Sequence, residues 1–166
     1  MHLRPIRATL VLAVVVASLG AVHPRVTLGG EARAGVIAFL DGKSIPLRDV
    51  ARHYCDDFSF PVITCSSEPA VIEARASALA TTAVDYVTIY DTPTYGGAWM
   101  HVSQDYTALS FIGWNDRVSS FKARNFETGR FWTDWFYSGT IWSFCCNQQV
   151  ASLGGYDNTF SSIERT

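Results

Sequence analysis

The stretch Trp114-Asn115-Asp116-Arg117-Val118-Ser119-Ser120 decides how this chain reads. A near copy, Tyr156-Asp157-Asn158-Thr159-Phe160-Ser161-Ser162, follows 42 positions later. In each, two acidic or amide side chains, two variable residues and two hydroxyls make a compact, oxygen-rich loop. Hard divalent cations, Ca²⁺ above all, take ligands of this kind. Two copies at a fixed interval also identify a structural unit that repeats, and the unit sets the fold.

The same interval runs upstream. Tyr90, Tyr95 and Gly97 are answered by Trp132, Tyr137 and Gly139. Asn115, Asp116, Ser119 and Ser120 are answered by Asp157, Asn158, Ser161 and Ser162. An aromatic, four residues, an aromatic and then x-Gly describes a folded hairpin, with rings packed across the turn and a glycine in a conformation closed to other residues. From residue 83 onward the chain alternates with period two and is rich in β-branched and aromatic residues, which predicts strands over 86–90, 98–102, 119–123, 130–132 and 140–144. Four strands per unit and two units predict a mainly β, two-sheet Greek-key sandwich.

Tyr90-(x4)-Tyr95-x-Gly97 with the loop 115–120 resembles one βγ-crystallin Greek-key motif (about 86–125), and Trp132-(x4)-Tyr137-x-Gly139 with the loop 157–162 resembles a second (about 128–166). Two such motifs make one βγ-crystallin domain over 83–166. The resemblance implies that the two loops lie side by side and share two Ca²⁺ ions. It implies Asp116 and Asn158 as carboxylate and amide ligands, Ser119 and Ser161 as hydroxyl ligands, and backbone carbonyls from Arg117 and Thr159. Asn115 and Asp157 either ligate or brace the loops, and Ser120 and Ser162 hold the turns through backbone hydrogen bonds. Only Asp116 and Asp157 are negative in the two loops, and Arg117 opposes a cation if it turns inward. Affinity is therefore expected in the modest range of ~10⁻⁵–10⁻³ M.

The chain opens like an export signal. Arg4 and Arg7 precede an apolar run over 8–19, and the small residues Ala17, Ser18, Gly20 and Ala21 follow. The run is shorter than the ~20 residues of a membrane span. The reading is a signal peptide over 1–22 and a secreted product with no membrane span after cleavage. Export makes the four cysteines candidates for disulfides. Cys55–Cys65 closes a short local loop and is the expected pairing. It leaves the adjacent Cys145 and Cys146 as a strained vicinal bridge or as free thiols. Neighbours on a strand face opposite ways, which argues against a shared partner. The spacing fits no C-x-x-C zinc pattern.

Residues 23–82 read as a small α/β lead segment outside the resemblance. A strand is expected at 36–40. Leu47, Val50, Ala51 and Tyr54 recur at helical spacing. Residues 58–64 look strand-like but are broken by Pro61. A helix is expected from Pro69 to about Ala80, with Ser66 or Ser67 at its start. Asp56-Asp57 reads as a solvated charge pair in a loop.

Net charge is −2, giving no general electrostatic case for nucleic acid. No nucleophile elbow, zinc-protease helix or P-loop occurs, and no enzyme is expected. Asp85, Asp91, Asp105 and Asp134 are not brought together by any pattern. His101 reads as an ordinary strand residue. The expected role is structural or adhesive, with Ca²⁺ clamping the two motifs. Two alternatives remain open. One is a protease inhibitor, because a bacterial metalloproteinase inhibitor has a βγ-crystallin-like fold and the 55–65 loop is a candidate for cleft entry. The other is a polysaccharide- or wall-binding module using Trp132, Trp135 and Trp142.

Overall fold

The computed structural model describes residues 35–79 and 84–166. The expected export signal over 1–22, the start of the lead segment and the expected helix end near Ala80 lie outside the described residues. Among the described residues, eleven strands and one α-helix follow in order. They are β1 (Ile37–Leu40), β2 (Lys43–Ile45), β3 (Tyr54–Ser59), β4 (Val62–Ser66), α1 (Pro69–Leu79), β5 (Tyr86–Thr92), β6 (Gly96–Val102), β7 (Ser120–Arg124), β8 (Gly129–Asp134), β9 (Ser138–Phe144), β10 (Gln149–Val150) and β11 (Ser162–Arg165).

The repeat folds as the sequence leads one to expect. Each aromatic-Gly segment turns a hairpin, β5–β6 in the first unit and β8–β9 in the second. Each Asn/Asp–Ser loop then delivers a strand back beside the first, β7 on β5 and β11 on β8, both antiparallel. The third strand of each unit crosses to the other sheet. β10 pairs with β7, while the first unit's counterpart is reduced to one bridge, Tyr106 to Ile163 in β11. This exchange makes two Greek keys into one sandwich with a shared core. Phe121, Phe131, Phe144, Phe160, Trp114, Ile89, Met100 and Ile163 are buried in it. The Phe121 and Phe131 rings meet at 5.2 Å across the two sheets. Each such side chain contributes roughly 1.5–3 kcal/mol by leaving water. Trp114, Val118 and Phe160 belong to the repeated loops themselves, so the loops are pinned from beneath.

The lead segment continues the first sheet. β3 pairs in parallel with β6, β4 pairs antiparallel with β3, and β1 pairs in parallel with β4, giving the order β10-β7-β5-β6-β3-β4-β1-β2. The second sheet is β11-β8-β9. Val50, Ala51, Cys55 and Ile63 join the same core cluster as the sandwich. Helix α1 covers the opposite face of the first sheet, where Ile72 packs with Tyr90 and Trp99.

Three expectations for this segment change. Residues Leu47–Arg52 form a 3-10 helix, and Tyr54 leaves the helical pattern to start β3 opposite Ser66 and Trp99. Pro61 does not interrupt a strand but sits in the turn between β3 and β4. The 55–65 loop is thus a hairpin inside the sheet, closed by the Cys55–Cys65 disulfide between directly opposed residues. Asp56 and Asp57 are not solvated, since both are fully buried on β3. Arg75 of α1 binds Asp56 through Nε–Oδ2 at 2.6 Å and Nη2–Oδ1 at 3.2 Å. Asp57 accepts from Ser103 N (2.6 Å), Ser103 Oγ (2.7 Å) and Tyr106 Oη (3.0 Å). Buried carboxylates demand such partners.

Candidate metal centre

The two loops meet at one end of the sandwich and reach into each other. Asp116 N donates to Phe160 O (3.0 Å), and its counterpart Asn158 N donates to Val118 O (3.1 Å). Asp116 and Asn158 both take left-handed backbone angles, φ +53° and +56°. Asp and Asn tolerate this region better than most residues, which explains why the repeat keeps them there.

The side chains cross in the same reciprocal way. Ser161 Oγ donates to Asp116 Oδ1 at 3.4 Å, and Ser119 Oγ donates to Asn158 Oδ1 at 3.2 Å. Each pair takes one oxygen from each loop. Calcium–oxygen distances near 2.4 Å with oxygens this far apart subtend roughly 85–90° at the ion, an angle ordinary for neighbouring ligands. The donor set therefore fits Ca²⁺. Among the described residues no three His, Cys, Asp or Glu side chains gather as a metal cluster. Hydroxyl, amide and carbonyl oxygens must complete any shell, which again suits a hard cation.

The remaining expected residues divide into supports and one opponent. Ser120 Oγ donates to Thr92 O (2.8 Å) and accepts from Tyr95 N (3.1 Å). Ser162 Oγ donates to Asp134 O (2.6 Å) and accepts from Tyr137 N (3.2 Å). These hydroxyls tie each loop to its own hairpin. Asn115 braces the first loop, with Nδ2 donating to Asp116 Oδ2 at 2.7 Å and Oδ1 accepting from Trp135 Nε1 at 2.8 Å. Asp157 Oδ2 accepts from Asn158 Nδ2 (3.2 Å), and Thr159 Oγ1 donates to Tyr156 O (2.8 Å). Arg117 turns to Asp91, Nη2–Oδ2 3.0 Å.

Arg117 and Asp91 break the symmetry of the two halves. Their equivalents at the 42-residue offset are the neutral Thr159 and Thr133. Asp91 O accepts from Ser119 Oγ (3.3 Å), so the ion pair lies against the Ser119–Asn158 pair. On the other side an open cleft is lined by Asn115, Asp116, Thr133, Asp134, Trp135, Ser138 and Ser161. Asp91 and Asp134 were not in the expected ligand set. Both stand one or two residues past the first aromatic of each hairpin, which is the signal in the sequence that places them here.

Two aromatic-Gly hairpins, exchanged third strands and paired Asn/Asp–Ser loops make up the βγ-crystallin fold. No protein-family model matches the chain, and no curated protein matches it. Solved βγ-crystallin structures do. One from an archaeon is 24% identical, covers 50% of this chain and 99% of its own, and has a TM-score of 0.43. One from Ciona intestinalis is 20% identical, with 49% and 99% covered and a TM-score of 0.46. A domain from Clostridium beijerinckii is 23% identical, with 48% and 95% covered and a TM-score of 0.43.

Proposed function

We propose that this chain is an exported, calcium-stabilised βγ-crystallin-type module with a structural or binding role, in which Ca²⁺ clamps the two Greek keys together. The observation that carries this reading is the reciprocal crossing of Ser161 onto Asp116 and Ser119 onto Asn158. A cation seated at either pair binds both loops at once and stabilises the sandwich only when it is folded. At ~1 mM Ca²⁺ and a site of ~0.1 mM, mass action adds about 1.4 kcal/mol per site. Mg²⁺ is smaller and holds its waters, so it serves this hydroxyl-rich set poorly. Residues 55–65, the loop considered for entry into a protease cleft, form a hairpin within the sheet, so the inhibitor reading has no projecting loop there.

The test is calorimetric titration of Ca²⁺ into the EDTA-stripped protein, with thermal melts beside it. Binding heat and a melting temperature raised by Ca²⁺ but not by Mg²⁺ support the clamp. No heat and no shift at millimolar Ca²⁺ would reduce the loops to plain turns.

A further inference from the structure

Cys145 and Cys146 lie far from the paired loops and take no part in the clamp. Both are exposed free thiols, whereas Cys55–Cys65 is a disulfide. They occupy the first two positions of a tight turn between β9 and β10. Gln148 N donates to Cys145 O at 2.8 Å and closes the turn, and Cys146 N donates to Glu127 O at 3.1 Å. Cys146 and Asn147 both take left-handed angles, φ +61° and +65°, the pattern of a type I′ turn, which here passes the chain from one sheet to the other. Neighbouring side chains on a strand face opposite ways, and this turn takes the pair out of that alternation. The neighbouring Cys145 side chain holds the Cys146 thiol above its ordinary pKa.

The pair is poorly built to close on itself. Consecutive Cα atoms stand about 3.8 Å apart, short of the ~4.4–6.8 Å span that disulfides ordinarily need. A single soft atom placed between the sulfurs removes that misfit, because bonds of ~2.3 Å, as in zinc thiolates, widen the ring. Zinc itself wants about four ligands, and no third His, Cys, Asp or Glu joins the pair among the described residues. A centre satisfied by two sulfurs is required, and an organic arsenic(III) centre is of that kind. Phe126, 73% exposed, lies on the facing turn, where its N–H donates to Asn147 Oδ1 (3.4 Å).

We propose that Cys145 and Cys146 form a vicinal dithiol site that captures trivalent organoarsenicals, both sulfurs closing on one arsenic. The reaction is a condensation. Two S–H bonds break, two As–S bonds form, and the arsenoxide oxygen leaves as water carrying both protons. No electrons are transferred, so neither oxidant nor reductant is needed.

Phenylarsine oxide is the probe, used on the full chain and read by a chromogenic disulfide that counts free thiols. Two thiols react in the untreated protein. One equivalent of phenylarsine oxide blocks both, excess monothiol does not restore them, and a small 1,2-dithiol does. Circular dichroism of Cys145→Ser and Cys146→Ser should match the parent, and in each variant excess monothiol should free the remaining thiol. Two thiols still reactive after stoichiometric phenylarsine oxide would overturn the proposal. So would a protein with no reactive thiol until reduced, or one that runs as a disulfide-linked dimer.

Discussion

Asp116 and Asn158 occupy equivalent positions, yet one carries a charge and the other does not. The ion pair Arg117–Asp91 lies beside Asn158's partner Ser119, while the cleft beside Asp116 holds the additional carboxylate Asp134. The two sites should therefore bind Ca²⁺ unequally, the Asp116–Ser161 site more tightly. Asp116→Ala is expected to remove the stronger calorimetric phase and lower total affinity tenfold or more, while Asn158→Ala removes the weaker phase. Arg117→Ala should leave Asp91 free to attract the cation and strengthen the weaker site. Equal phases in the parent protein, or an unchanged profile in Arg117→Ala, would contradict this asymmetry. Gly139 shows a different constraint. Its φ is +83°, and a Cβ there would fall within 2.5 Å of Asp134 Oδ2. Gly139→Ala should cost about 1–3 kcal/mol in chemical denaturation, and it should also weaken Ca²⁺ binding by displacing Asp134. These pairs of residues were legible in the sequence because the repeat aligns them without a gap. Asp91 and Arg117 were legible as residues but not as a pair, since only the folded hairpin brings a strand end against a loop.

At the scale of elements, β3 shows why part of the chain could not be read locally. Asp56-Asp57 in a stretch of mixed polarity has the composition of a loop, and Tyr54 completes a helical spacing. Parallel pairing with β6 overrides both, and the two carboxylates are accommodated by groups distant in sequence, Arg75, Ser103 and Tyr106. No window of sequence contains those partners. Burial of Asp57 has a measurable consequence. Desolvation pushes its pKa up to about 6, outweighing the hydrogen bonds from Ser103 and Tyr106 that pull it down, with the neighbouring Asp56 pushing further up. A carboxyl whose folded pKa is raised holds its proton more tightly in the folded state. Its contribution to stability is full below about pH 4 and is lost as pH rises through 6. Asp57→Asn should remove a decline on the order of 2 kcal/mol between pH 4 and 6, so that the urea midpoint climbs more steeply with pH over that window, where the decline offsets the rise from His101. His101 acts with the opposite sign. Burial, aided by the charge of Arg124, lowers its pKa to about 3, so the stability it supports is present above pH 6.5 and lost toward pH 3. His101→Gln is expected to flatten that acid limb and leave the pH 4–6 change that Asp57 produces largely in place.

Across the whole molecule, the lead segment is part of the sandwich's sheet and core, although nothing in its sequence repeats the crystallin pattern. Its strands carry ordinary apolar residues whose destination is fixed only by long-range pairing, which a local reading cannot supply. Three of its elements cover surfaces that the two Greek keys do not cover for themselves. β3 caps the edge of β6, the Leu47–Arg52 turn places Val50 and Ala51 in the common core, and α1 shields Tyr90 and Trp99. Residues 84–166 expressed alone would present β6 as a bare edge beside an opened core, the arrangement most prone to intermolecular pairing. That fragment is expected to lose at least ~3 kcal/mol of stability or to aggregate, because several buried apolar side chains lose their neighbours at once. The Asn/Asp–Ser loops sit on β7 and β11, away from the β6 edge, so Ca²⁺ should still raise the fragment's melting temperature by an increment similar to that of the full chain. Light scattering and melts with and without Ca²⁺ separate the two effects. A fragment that is monomeric and as stable as the full chain would show that the added strands only decorate the sandwich. One that is stable only with Ca²⁺ would show that the metal clamp and the lead segment both hold the same two Greek keys together.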